Sequence, residues 1–139
     1  MMLPEEVKID IETIGYLDGE STSYQVKATG KCYLKNQKIY ISYSEKLEGV
    51  DVEIPSLITF DENQIQISRR GEVRSTMKFL SGTDTKCQYT TVAGTIDLVI
   101  HTNKYAAILK EDSVKIYLDY SVKMNGTDGG SNSIYILIS

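Results

Sequence analysis

The chain has 139 residues and a mass of 15.6 kDa, enough for one domain whose core needs no metal or disulfide to fold. Its 15 Lys and Arg residues are scattered and outnumbered by 19 Asp and Glu residues, and the net charge of −4 argues against nucleic-acid and anionic-membrane partners. No run approaches the ~18 apolar residues of a membrane-spanning helix, and the amino terminus lacks the basic and apolar regions of a signal peptide.

Alternating apolar and polar residues predict strands in the first half of the chain, because successive side chains of a strand point to opposite faces. The predicted strands run from Val7 to Gly15, Ser23 to Leu34, Lys38 to Glu45, Leu57 to Phe60 and Gln64 to Arg69. Asp18-Gly19 predicts a turn, and the charged segment Lys46 to Glu53 predicts a loop. Gly30, in the middle of the second run, predicts a bulge or a sharp bend.

The clearest two-residue period spans Glu72 to Thr102 and predicts three strands, with reversals at Ser81 to Asp84 and near Gly94. The faces that share one phase are Val73, Ser75, Met77 and Phe79, then Cys87, Tyr89, Thr91 and Ala93, then Ile96, Leu98, Ile100 and Thr102. The rest of the chain predicts a short separate strand from Tyr105 to Lys110, a strand from Val114 to Met124, a loop from Asn125 to Asn132 and a last strand from Ile134 to Ile138.

Together these runs make about ten or eleven strands separated by short links, with no helix. Short links place neighbours in sequence beside each other in space, and closure removes the exposed edges of a sheet. We therefore predict an all-β fold, a single closed or nearly closed antiparallel β-barrel of about 8–10 strands in meander order. One domain covers residues 1–139.

Five short motifs point to a known family: Tyr43-Ser44-Glu45, Ile67 to Gly71, Ser75 to Phe79, Tyr89-Thr90-Thr91 before Gly94, and Leu118-Asp119-Tyr120 before Asn125-Gly126. From about Ile9 to Ile138 the chain resembles the YwiB-like family of bacterial proteins, calycin-type barrels that form a domain of unknown function. One departure is Val92, where the family pattern usually has a proline. The resemblance implies a lipocalin-like or fatty-acid-binding-protein-like barrel and implies no activity.

Several polar residues occupy the phase that predicts the barrel interior, and they form the candidate site. They are Arg69, Glu45, Tyr43, Ser75, Tyr89, Thr91, Thr102 and Tyr120. An unpaired guanidinium inside a barrel costs several kcal/mol, so Arg69 requires a carboxylate or a ligand, and Glu45 is the first candidate partner.

Two interpretations of this pattern stay open. In the first, Arg69 and Glu45 form a structural ion pair at one end of a filled barrel. In the second, Arg69 with Tyr43, Tyr89 or Tyr120 binds the carboxylate or phosphate head of a small ligand in a lumen of ~300 Å³ or more. An arginine fork matches such an oxyanion.

Other reactive groups give no catalytic pattern. His101 is predicted to face outward, with no metal ligand at a recognised spacing, and the two cysteines, Cys32 and Cys87, are predicted to be reduced thiols in a cytoplasmic protein. Gly126, Gly129 and Gly130 predict a flexible hairpin loop instead of a phosphate loop. An enzyme using Glu45 is disfavoured, because a neighbouring arginine lowers the pKa of a carboxyl group away from neutrality.

The sequence thus favours a non-enzymatic barrel that binds a small anionic or amphipathic molecule, with no metal and no cofactor. The alternative is a protein-interaction or structural module with a filled core, acting through an edge strand or its outer face, in which case a homodimer is expected.

Overall fold

The computed structural model describes residues 3–46 and 51–139, and this part of the chain forms ten strands and no helix. The strands are β1 (Glu6–Leu17), β2 (Glu20–Lys35), β3 (Lys38–Glu45), β4 (Ile54–Phe60), β5 (Gln64–Arg70), β6 (Arg74–Leu80), β7 (Asp84–Thr91), β8 (Gly94–Leu109), β9 (Val114–Met124) and β10 (Thr127–Ile138). No helix among the described residues is suited to crossing a membrane.

All ten strands pair antiparallel with their neighbours in sequence, and β10 returns to pair with β1. Ile9 lies opposite Ile138 and Tyr16 opposite Ser131, so the closing ladder covers β10 from Ser131 to its last residue. The predicted all-β meander barrel is therefore confirmed, with ten strands.

The barrel interior is filled by the inward side chains of these strands. The largest fully buried ones include Phe60, Phe79, Ile41, Ile58, Ile65, Ile100 and Leu118. Each such side chain contributes about 1.5–3 kcal/mol when it leaves water, and this burial is the main force that closes the sheet. The two-residue period of the sequence thus translates directly into a core.

The separate strand predicted from Tyr105 to Lys110 is wrong, because β8 is one strand of 16 residues. Its pairing with β9 shifts between Thr102 and Lys104, where Asn103 is the extra residue of a β-bulge. Thr102 and Tyr105 are both buried although three positions separate them. The bulge breaks the sequence period without ending the strand.

The flexible loop predicted from Asn125 to Asn132 is also wrong. Asn125 and Gly126 alone make the turn, with φ of 50° and 82°, the left-handed geometry that a two-residue hairpin requires. β10 begins at Thr127, and an irregularity between Asp128 and Ser131 absorbs the glycine-rich segment. Glycines that suggested a loop therefore lie in a strand.

Gly30 does not form the predicted bulge, since it pairs in unbroken register with Val7 on β1 and Tyr43 on β3. A Cβ atom there would lie 2.4 Å from the carbonyl oxygen of Ser42, so a glycine is needed for close approach of two strands. The predicted loop Lys46 to Glu53 includes residues 47–50, which lie outside the described residues.

Candidate functional site

The inward polar residues of neighbouring strands lie side by side in one transverse row. In register, Gly30 pairs with Tyr43, Tyr43 with Ser56, Ser56 with Arg69, and Arg69 with Ser75. The row crosses β2 to β6 at right angles to the strands. Tyr43 and Ser75, which are 32 positions apart in the sequence, are thereby placed in one row across the sheet.

The guanidinium in this row is paired with the carboxylate predicted for it. Arg69 Nε donates a hydrogen bond to Glu45 Oε1 over 2.5 Å, and the Glu45 side chain is almost completely buried. Glu45 closes β3 opposite Ile54, one inward position beyond the row. The predicted partner of Arg69 is therefore confirmed.

Burial and charge set the protonation of the neighbouring groups. Burial opposes the charged form of Arg69, but the Glu45 carboxylate outweighs it, so the pKa of the guanidinium is raised. Burial, with a smaller contribution from Glu45, raises the pKa of Tyr43, and burial raises the pKa of Tyr120 to about 12 despite Arg69. Arg69 stays charged, and both phenols keep their protons, at physiological pH.

Two hydroxyls of the row are buried without a hydrogen-bond partner among the described residues, Tyr43 Oη and Ser75 Oγ. Tyr43 lies near Glu45 and Ser56 but makes no hydrogen bond of acceptable geometry. The Arg69 side chain is 19% exposed and its Nε donates to Glu45, and its terminal nitrogens are not among the buried atoms that lack a partner. A buried hydroxyl without a partner costs about 1–3 kcal/mol, so Tyr43 and Ser75 supply the unused donors of the row.

Six of the eight predicted site residues come together and two do not. Tyr89 and Tyr120 are close enough to Arg69 to interact with its charge, and the Tyr120 ring packs on Phe79 with centroids 4.8 Å apart. Thr91 instead accepts a hydrogen bond from the backbone N–H of Ala93, in the turn before β8. Thr102 is fully buried beside the turn after β6, where its carbonyl accepts from the N–H of Gly82.

Ser56 is the site residue that the sequence reading missed. It is buried between Tyr43 and Arg69, and its hydroxyl donates to the carbonyl of Ile54. The strand predicted from Leu57 begins at Ile54 in the structure, so Ser56 lay outside the prediction. The two-residue alternation of Ser56, Ile58 and Phe60 is the sequence signal that would have extended the predicted strand toward its amino-terminal end.

A groove opens in the barrel wall beside the row, where β2 and β3 separate. Their ladder spans only Gly30 to Lys35 of β2, so the remainder of that strand, from Glu20 to Thr29, has no β3 partner. The groove has a volume of about 1110 Å³, and Tyr43 and Ser56 contribute to its lining. Arg69 does not line it, so this space differs from the predicted lumen with Arg69 at its wall.

Among the described residues, no cluster of three or more His, Cys, Asp or Glu side chains is arranged to hold a metal ion. His101 pairs with Asp84 on the outer surface, with 2.6 Å between Nδ1 and Oδ1. Both cysteines are free, and burial raises the pKa of each thiol. These groups offer no activated nucleophile.

Comparison with known proteins gives a consistent result. A family model described as "Domain of unknown function (DUF1934)" matches residues 9–136. The "Uncharacterized beta-barrel protein YwiB" of Bacillus subtilis (strain 168) is 23% identical over 116 residues, covering 84% of this chain and 80% of that protein. The crystal structure of the ywiB protein from Bacillus subtilis aligns with a TM-score of 0.85 at 21% identity, over 97% of this chain and 91% of that one. At this identity the structural likeness shows the fold alone.

Proposed function

The chain belongs to the DUF1934 family, a domain of unknown function, and from its geometry we propose that the protein is a non-enzymatic, lipocalin-like barrel that binds a small amphipathic molecule. The observation that carries this proposal is the buried Tyr43 hydroxyl, which has no hydrogen-bond partner among the described residues and lies in the lining of a groove in the barrel wall. The Ser75 hydroxyl and the charged Arg69 follow in the same row. An oxygen-bearing head group supplies the acceptor that these donors lack.

The charge of the site restricts which chemical class of head group can bind. Glu45 already balances Arg69, so an entering anion gains hydrogen bonds but little net Coulomb attraction. A singly charged carboxylate, which accepts two parallel hydrogen bonds from a guanidinium, suits such a site better than a doubly charged phosphate. Within the anionic or amphipathic class, we therefore favour a carboxylate.

The groove supplies room for the apolar body of the ligand. Drug-sized ligands occupy pockets of roughly 300–1,000 Å³, and the groove offers about 1110 Å³. Its lining combines the apolar residues Ile9, Ala28, Pro55 and Leu137 with Tyr43 and Ser56 of the row. Charged side chains also line it, namely Lys8, Asp10, Lys27, Lys31 and Glu53. A molecule lying in the groove therefore reaches the neighbours of Arg69 without displacing the packed core.

A non-enzymatic role is supported by the state of the titratable groups. Glu45 is held by Arg69, and burial raises the pKa of the Cys32 and Cys87 thiols. The free state of both cysteines also supports our proposal of a reducing, cytoplasmic location.

The test is a titration of the ¹⁵N-labelled protein with decanoate, decanol and decyl phosphate, followed by NMR. We expect decanoate to bind most tightly and to shift resonances of Tyr43, Ser56 and Arg69. The variant Arg69→Met/Glu45→Met removes the guanidinium donors and both charges together, and it leaves the Tyr43 and Ser75 hydroxyls in place. Replacing a buried ion pair by apolar residues of similar size is often neutral for stability, so this variant keeps the fold while decanoate affinity falls at least about tenfold.

Thr102→Val is the matched control, because Thr102 also has a buried hydroxyl without a partner but lies away from the row. The affinity of the Thr102→Val variant for decanoate should equal that of the unaltered protein. The proposal fails if decanoate does not bind, or if the double variant binds it as well as the unaltered protein does.

A further inference from the structure

The outer faces of β8, β9 and β10 carry an apolar surface, the outer patch, made of Ala106, Ile108, Tyr117, Tyr135 and Leu137. Ile108 is 56% exposed, Tyr135 46% and Leu137 39%. The rings of Tyr117 and Tyr135 lie in contact, with centroids 5.1 Å apart, and the patch borders a shallow groove of about 390 Å³. The outer face of a water-soluble barrel is normally polar, and contiguous apolar surface of this kind marks an interaction site.

Opposite charges flank the β10 residues of the outer patch in register. Leu137 pairs with Lys115 of β9 on one side and with Asp10 of β1 on the other. Tyr135 pairs likewise with Tyr117 and with Glu12. The apolar residues of β10 therefore lie between acidic residues on β1 and a basic residue on β9, Lys115, which separates Leu137 from Ile108 within the patch.

We propose that the outer patch is the interface of a symmetric homodimer, with a two-fold axis that runs along β10. When two sheets pack face to face, the two-fold axis lies in the plane between them and exchanges the two flanks. Leu137 and Tyr135 then meet their own counterparts. Asp10 of each copy lies opposite Lys115 of the other, and Glu12 lies opposite the Tyr117 hydroxyl, which donates to it.

This self-complementarity selects a second copy of the chain over an unrelated partner. With a net charge of −4, two copies repel each other at long range unless the surfaces that meet carry both signs. Within the described part of the chain, neither Asp10 nor Lys115 takes part in an ion pair, and Asp10 accepts a hydrogen bond only from the exposed Gln25. Both charges are therefore available to a partner.

The apolar residues and the charges have different roles in this dimer. Tyr135, Tyr117 and Leu137 supply the affinity, because large apolar and aromatic side chains dominate interface energetics. The Asp10 and Lys115 pairs at the edge set the orientation and exclude other registers. The outer patch meets the ligand groove at Asp10 and Leu137, but the dimer requires no ligand.

The test is analytical ultracentrifugation of the full chain without added ligand, which separates its outcome from that of the decanoate titration. We expect a dimer for the unaltered protein. Asp10→Lys and Lys115→Glu each place like charges opposite each other and raise the dissociation constant at least about tenfold. The combined variant Asp10→Lys/Lys115→Glu restores opposite charges and returns the dissociation constant to within about threefold of the original.

Matched charge reversals elsewhere on the surface, Lys86→Glu and Glu62→Lys, should leave the dimer unchanged, since both residues are exposed. Glu62 lies between β4 and β5, and Lys86 pairs with Val99 at the end of β8 that is remote from Ile108. A monomer at the concentrations used for NMR overturns the proposal. So does a dimer that is insensitive to the single reversals or is not recovered in the combined variant.

Discussion

Among the described residues, two pairs of a basic and an acidic side chain have nearly equal length and very different surroundings. Arg69 and Glu45 lie 2.5 Å apart inside the barrel, with side chains 19% and 1% exposed, whereas His101 and Asp84 lie 2.6 Å apart on the outer wall at 48% and 67%. Distance alone does not distinguish them. Burial does, because a charge removed from water must be compensated within the protein, whereas water compensates the exposed pair.

The difference in burial also explains why, of the two pairs, only the interior one has neighbouring hydroxyls without a hydrogen-bond partner among the described residues. Around His101 and Asp84, solvent completes every hydrogen bond that the protein leaves open. Around Arg69, the buried hydroxyls of Tyr43 and Ser75 have no partner among the described residues. An interior pair therefore creates a place where a ligand or an ordered water is stabilising.

The largest expected effect breaks the interior pair. Arg69→Met leaves the Glu45 carboxylate buried without its partner, and we expect the free energy of unfolding to fall by about 3–5 kcal/mol. Urea unfolding measures this loss of unfolding free energy. The combined Arg69→Met/Glu45→Met variant should recover most of this loss, and a single variant as stable as the parent would show that burial is not what distinguishes the two pairs.

A second effect, of intermediate size, is the pH dependence of the free energy of unfolding that the buried Tyr120 causes. Burial raises the pKa of Tyr120 to about 12, against about 10 in the unfolded chain. Tyr120 thus keeps its proton to a higher pH in the native state than in the unfolded state. Its contribution to the free energy of unfolding is fully present below pH 10 and is lost as the pH rises toward 12. One such tyrosine accounts for about 2–3 kcal/mol over that interval.

The measurement is the urea midpoint between pH 8 and pH 12, with Tyr120→Phe compared with the parent chain. The variant should lose stability less steeply, because it has no proton to lose. Tyr43, whose pKa is also raised by burial, and Tyr105 contribute to the slope that remains. Equal slopes for the variant and the parent would contradict the assignment.

The smallest expected effect concerns the outer pair. His101→Gln removes the partner of Asp84 but leaves that carboxylate in water, and we expect the free energy of unfolding to change by less than about 0.5 kcal/mol. Thermal unfolding at low and high salt is a sufficient measurement. A loss comparable to that of Arg69→Met would remove the distinction between the two pairs.

Much of the fold was readable from the period of two. Val73, Ser75, Met77 and Phe79 were assigned to one face and are all buried, and Glu45 was named as the partner of Arg69. The failures occur where the period is interrupted. Asn103 is an added residue in a bulge that looked like the end of a strand, and the segment after Gly126 is a strand whose glycines looked like a loop.

The candidate site was predicted less completely, for a geometric reason. Arg69, Thr91 and Thr102 share an inward phase in the sequence, but their heights along the barrel depend on the stagger between strands. A two-residue period states which face a side chain takes and carries no information on that stagger. Thr91 consequently lies beside the turn before β8, and Thr102 lies within β8 beside the turn after β6, away from the row that contains Arg69.

By itself, the order of the residues determined that the chain forms antiparallel strands, that the strands close into a barrel, and that a guanidinium and a carboxylate enter its interior. Only the tertiary structure decided that Tyr43, Ser56, Arg69 and Ser75 pair in one row, that the ladder between β2 and β3 ends at Gly30, and that Asp10 and Lys115 flank Leu137. These features arise from the registers between strands, and a register depends on how two distant segments pack, which neither segment specifies alone.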